Sequence, residues 1–235
     1  MPGWKSTLPL IGPAVILAVA GILWWLPGGG KDPARGGTEQ KGEQWESVDF
    51  SSLKPGDPLP GWEVGQGTFQ TVENEGRTML AMQPEPMVEG KVRWSQAMTG
   101  GGAIRVRMQG VRTRRAAPRF GVAFQGASEI QLRAVPGKDV LEIAVPGVPE
   151  TVLASVPWTW QPERRLWLEF RAGTNEGGSL FEGRVWAEGD PRPGAPSIRY
   201  QSATPPGVVR AVLEGAPYAL RPIYCDRIET LRFYR

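Results

Sequence analysis

Residues 165–171 read Arg165-Leu166-Trp167-Leu168-Glu169-Phe170-Arg171. In an extended chain Leu166, Leu168 and Phe170 fall on one face, and Trp167, Glu169 and Arg171 on the other. A period of two with one polar side is the pattern of antiparallel sheets packed face to face.

The same alternation recurs on both sides of this stretch. Upstream, Ile104, Val106 and Met108 share a face, as do Phe120, Val122 and Phe124, and then Ile130 and Leu132. Arg77–Met82, Leu141 with Ile143, and Val152 with Leu153 are further short apolar runs. Downstream, Leu180–Ala187, Val208–Leu213 and Ile228–Tyr234 continue the series. The 31 glycines and 23 prolines supply turns between these runs. No fixed-period repeat and no helical pattern appears after residue 47, which excludes propellers and solenoids. The expected fold class is all-β, a two-sheet antiparallel jelly-roll sandwich over residues 47–235.

Charge and composition exclude several functions. There are 27 Lys+Arg against 24 Asp+Glu. The only basic cluster, Arg112, Arg114 and Arg115, reads as a loop, so no nucleic-acid partner is expected. The 235 residues contain no histidine, which excludes Ser-His-Asp and Cys-His catalysis and any imidazole-held metal or haem. Acid–base chemistry would fall to carboxylates, Tyr or Lys. Cys225 is the single cysteine, so no internal disulfide forms. Its apolar neighbours predict a buried, inert thiol.

The segment from Leu8 to Pro27 is almost wholly apolar. About 20 helical residues span the roughly 30 Å hydrocarbon core of a bilayer. Trp24 and Trp25 end the run, where indoles favour the interface. The expectation for 1–27 is therefore a single transmembrane helix, an anchor in membrane lipid. The alternative is a signal peptide cut after Ala18-Val19-Ala20, which would leave an apolar tail that includes both tryptophans. Residues 28–46 are polar and Gly-rich and read as a flexible linker. The resulting topology is single-pass in the cell inner membrane, with the C-terminal domain in the periplasm or outside.

The order of runs over 47–235 resembles the concanavalin A-like, or laminin-G-like, domains allied to glycoside hydrolase family 16 and to keto-disaccharide hydrolase-like proteins. The residues carrying the resemblance include Val48-Asp49-Phe50, Leu59-Pro60-Gly61-Trp62, the 165–171 stretch and the hairpin Val185-Trp186-Ala187-Glu188-Gly189. Tyr224-Cys225-Asp226-Arg227-Ile228 resembles the closing strand. The fold hosts lectins, enzymes and adhesion modules alike, so it does not fix a function.

Hydrolases of this resemblance carry a Glu-x-Asp-x-Glu strand, and no such strand is found. Retaining glycosidases need two carboxyl groups about 5–5.5 Å apart. Glu169 and Glu182 could face each other on paired strands, but Arg171 and Arg184 beside them predict a solvated salt-bridge ladder. No catalytic residue is assigned. Sugar binding needs aromatic platforms beside planar polar groups. Trp167 and Trp186, with Gln131, Arg133, Glu169 and Glu182, are the candidate ligand-binding residues, all on polar strand faces. Trp158 and Trp160 are expected to pack at a sheet edge. The resemblance also implies a possible structural calcium held by Asp49 and Asp226, although calcium takes six to eight oxygens and an Asp serving a turn is the alternative. No other cofactor is expected.

Three functions compete at this stage. The first is a membrane-anchored, extracytoplasmic, non-catalytic module that binds glycan or protein. The second is an accessory subunit of a membrane complex, with Gly12, Ala14, Ala18 and Gly21 packing against partner subunits. The third is a glycoside hydrolase with an atypical carboxylate pair.

Overall fold

The computed structural model describes residues 44–233 other than 87, 177 and 219. The candidate membrane segment and the linker as far as residue 43 lie outside the described residues. Among the described residues no helix is long and apolar enough to cross a membrane.

Sixteen strands follow one another: β1 (Glu46–Ser47), β2 (Trp62–Gln66), β3 (Phe69–Asn74), β4 (Arg77–Met82), β5 (Gly90–Trp94), β6 (Met98–Thr99), β7 (Gly102–Gln109) and β8 (Arg119–Gln125); then β9 (Glu129–Val135), β10 (Val140–Val145), β11 (Thr151–Pro157), β12 (Leu166–Asn175), β13 (Gly178–Ala187), β14 (Ile198–Ser202), β15 (Val208–Ala216) and β16 (Ile223–Arg232). Among the described residues the one helical element is a 3-10 turn, Phe50–Ser52, capped by the Asp49 carboxylate.

Two antiparallel sheets form. The first runs β14-β13-β12-β7-β16-β4-β3, with β1 paired to β16. The second runs β11-β10-β9-β8-β15-β5-β2, with β6 paired to β15. Inward-facing side chains of both make one core: Ile104, Val106, Leu168 and Phe170 from the first sheet meet Phe120, Phe124, Leu132 and Leu213 from the second. Phe124 and Phe170 touch across the sandwich with ring centroids 5.2 Å apart. The alternation of 165–171 is realised as expected on the core side, with Leu166, Leu168 and Phe170 all buried. Cys225 is buried in this core, and burial pushes its thiol well above the ordinary range.

The second sheet departs from simple alternation. On β8, Gly121 and Ala123 face away from the core yet are as buried as Phe120 and Val122. Gln131, Arg133, Glu142 and Glu214 on neighbouring strands are likewise turned outward and buried. The reason is geometric. The loop 146–150 folds back so that Glu150 reaches Arg133, and Glu89 reaches Arg119 from the other side. The outer face is thus roofed by its own ion pairs.

Candidate functional site

The candidate ligand-binding residues divide between the two sheets. Trp167, Glu169, Trp186 and Glu182 stand on the outer face of β12 and β13. Gln131 and Arg133 stand on the outer face of β9, in the opposite sheet. The core lies between these faces, so the six residues do not form one site. This corrects the grouping made from strand polarity alone: alternation tells inside from outside, not which sheet a strand joins.

On the first sheet, the register pairs Trp167 with Trp186, Glu169 with Arg184 and Arg171 with Glu182. The two indoles stack with centroids 5.6 Å apart and planes 6° from parallel. Arg105 and Arg107 lie over Trp167 at 5.7 and 5.5 Å, and Arg105 also covers Trp45 at 4.4 Å. Glu169 and Glu182 are therefore diagonal rather than opposite.

The expected solvated ladder is also corrected. Glu169 has no exposed surface. Its carboxylate accepts from Arg171 Nε at 2.7 Å and Arg192 Nε at 2.6 Å, with Arg184 at 3.3 Å and Arg105 at 3.9 Å. Burial opposes ionisation, but the bonds from Arg192 and Arg171 and their charges outweigh it and hold the carboxyl below its usual range. An acid held ionised by four guanidinium groups neither donates a proton nor meets a ligand. Glu182, partly exposed, pairs with Arg199 at 2.9 Å.

Next to Trp186 the structure opens a cavity of about 400 Å³, lined by Trp158, Trp160, Gln161, Arg164, Trp186 and Asp190 among others. Its walls are the β11–β12 loop and the turn that follows β13. That turn closes through Asp190 N–H to the Ala187 carbonyl at 3.1 Å, and Gly189 takes a positive φ of 90° in it. Arg164 ties the two walls together. It donates to the Glu188 carbonyl at 3.1 Å, to Asp190 at 2.7 Å and to Gln161 at 3.0 Å. Trp160 packs edge-on against Phe120 at 5.3 Å, and its buried Nε1–H has no acceptor among the described residues. Three indoles, an amide, a guanidinium and a carboxylate line it. Trp158 and Trp160 were expected only as edge packing. Their Trp-x-Trp spacing just before β12 was the available signal.

The outer face of the second sheet holds charges at close quarters. Gln131 Nε2 donates to Glu129 at 2.8 Å and to Glu214 at 2.9 Å, and Lys91 binds Glu129 and lies 3.7 Å from Glu214. Gly121 makes room for Glu214: a Cβ there would lie 2.6 Å from its Oε1. Burial raises the Glu214 carboxyl to about 7, against the pull of Lys91. Arg133 is bound by Glu142 at 2.7 Å and by Glu150. Glu129, Gln131 and Arg133 alternate along one strand face.

Of the two calcium candidates, Asp226 is taken up by guanidinium groups. Both Asp226 oxygens accept from Arg107, at 2.7 and 2.8 Å, and Arg165 stands 3.7 Å away. Asp49 Oδ1 accepts from the Ser51 N–H at 3.0 Å and the Ser51 hydroxyl at 2.6 Å. Among the described residues no group of three or more His, Cys, Asp or Glu side chains could hold a metal ion.

Two sheets of this order around one core define a concanavalin A-like jelly roll. The fold is shared with the Crh5 transglycosylase in complex with NAG (TM-score 0.57, 11% identity, 81% of this chain and 84% of that one). It is shared also with the lectin UEA-II complexed with galactose (TM-score 0.55, 9% identity, 80% and 98%) and with the metal-free exoplasmic/lumenal domain of VIP36 (TM-score 0.53, 12% identity, 80% and 92%). No protein-family model matches the chain, and no curated protein does. At these identities the likeness establishes the fold and no more.

Proposed function

We propose that the chain is a non-catalytic glycan-binding module, and that its site is the tryptophan-lined cleft between the β11–β12 loop and the β13 turn. The observation that carries this reading is the convergence of Trp158, Trp160 and Trp186 with Gln161, Arg164 and Asp190 in one open cavity. Pyranose rings stack on indole faces, while hydroxyl groups bond to amides, carboxylates and guanidinium groups. The test is to incubate the protein with β-glucan, agarose, chitin and peptidoglycan. Retention on at least one, with no release of reducing ends, is the expected outcome. Retention on none would overturn the proposal.

Glycoside cleavage is the second reading, favoured by the Glu129–Glu214 pair and the raised Glu214 carboxyl. Against it, Lys91 and Gln131 fill the space between the two acids, and Glu214 is only 3% exposed, which leaves a glycosidic oxygen no approach. Turnover abolished by Glu214→Gln would promote this reading.

The module is held at a membrane, in this proposal, by the apolar segment 8–27, with the sandwich on the extracytoplasmic side. An apolar helix of that length resists salt, whereas a charge-held protein does not. A high-salt wash should leave the protein in the membrane fraction. Its release, or a mature N-terminus beyond Ala20, would contradict the tether.

A further inference from the structure

Two loops cross the same end of the sandwich side by side. β7 leaves the first sheet and enters the second as β8 through residues 110–118. β15 leaves the second and enters the first as β16 through residues 217–222. β7 pairs with β16 and β8 with β15, with Gln109 opposite Tyr224 and Arg119 opposite Ala216, so the crossings are neighbours. Arg119, the residue that follows the first loop, lies 5.9 Å over the ring of Tyr218 in the second.

What these loops present is unusual for a sandwich end. Neither contains an Asp or Glu. Arg112, Arg114, Arg115 and Arg221 are all exposed, and no described residue forms an ion pair with any of them. Among them stand three exposed apolar side chains: Val111 at 45%, Tyr218 at 54% and Leu220 at 74%. Cations alone would fit any polyanion. Aliphatic and aromatic tips set among guanidinium groups fit a surface with an anionic face and an apolar interior.

We propose that this end of the sandwich docks on an anionic lipid bilayer, the four arginines meeting headgroups while Val111, Tyr218 and Leu220 enter the interface. The proposal rests on the tether that brings the domain to a membrane. β1 pairs with the far end of β16, so the chain enters the sandwich at the opposite end. Residues 28–45 fully extended reach about 60 Å, and a ten-residue strand is about 33 Å long, so the linker permits this docking.

The test places an environment-sensitive dye at Leu220→Cys in the full chain, Cys225 being buried and unreactive. The chain is reconstituted in nanodiscs of phosphatidylcholine alone or with phosphatidylglycerol. The expected result is a blue shift on the anionic discs, little on the neutral ones, and its loss when all four arginines are changed to Glu with the melting temperature kept. No shift, an equal shift on neutral discs, or a shift that survives the four changes would overturn the docking while co-elution with the discs leaves the tether standing. A chain that enters neither disc overturns tether and docking together. A shift produced by soluble polygalacturonate and by neither disc assigns the surface to acidic polymers instead and overturns the lipid proposal.

Discussion

Glu169→Gln should lower the stability of the sandwich by about 3–5 kcal/mol, the cost of breaking a fully buried ion pair from one side. At about 2–4 °C per kcal/mol for a domain of this size, the melting temperature should fall by roughly 6–20 °C. The change keeps the shape and removes the one carboxylate that Arg171, Arg184, Arg192 and Arg105 share. Arg192 can turn partly to solvent, since its side chain is 35% exposed. Arg184, at 8%, cannot. Glu182→Gln on the next strand is the control. Its partner Arg199 is 62% exposed, so the loss should stay under about 1 kcal/mol. Equal, small losses for the two variants would show that Glu169 is wetter than its packing implies. The pH dependence has a definite sign. The folded carboxyl is depressed, so its stabilisation is present above the unfolded value near 4.5 and disappears as pH falls through the folded value.

Glu214 should act in the opposite sense. Its folded carboxyl titrates at about 7 against 4.5 in the unfolded chain. Between those values the folded protein holds a proton that the unfolded chain has released, so stability falls as pH rises through the window. The loss should be roughly 1–3 kcal/mol, reduced from the full linkage value because the charges of Lys91, Glu129, Arg119 and Arg133 are coupled to it. Chemical denaturation at pH 5.5 and pH 8 reads this directly. Glu214→Gln should flatten the slope and leave the variant more stable than the parent at pH 8, because the amide still accepts from Gln131 without carrying a charge into the interior. A parent protein whose stability rises from pH 5.5 to 8 would contradict the burial of an acid at this position.

The fold was legible where one strand face is wet. On β7 and β12 apolar and polar residues alternate, and both strands were read with the right face inward. Legibility failed on shorter or glycine-bearing strands. Trp62–Gln66, with Gly65 inside it, and Phe69–Asn74 show no clean period, while Gly90–Trp94 and Ile198–Ser202 alternate over only five residues each, too few to stand out. It also failed on the second sheet. A period of two assigned Gln131 and Arg133 to a polar face, but nothing local to β9 announced that Glu142, Glu150 and Glu214 would come from elsewhere in the chain to bury them. The site was half visible for the same reason. Trp167 and Trp186 were evident from alternation. The cleft beside Trp186 depends on Arg164 joining two loops across 24 residues of sequence, which no strand period encodes.

The central claim is that the tryptophan cleft binds sugar. Its most direct trial is calorimetric titration of the full-length protein and of Trp186→Ala, with oligosaccharides prepared from whichever of β-glucan, agarose, chitin or peptidoglycan retains the parent. Loss of one stacking indole should cost about 1–3 kcal/mol of binding, about a 5- to 150-fold rise in Kd, with the melting transition still cooperative. An unchanged Kd in a folded Trp186→Ala protein would show that the ligand sits elsewhere on the sandwich and would contradict the account.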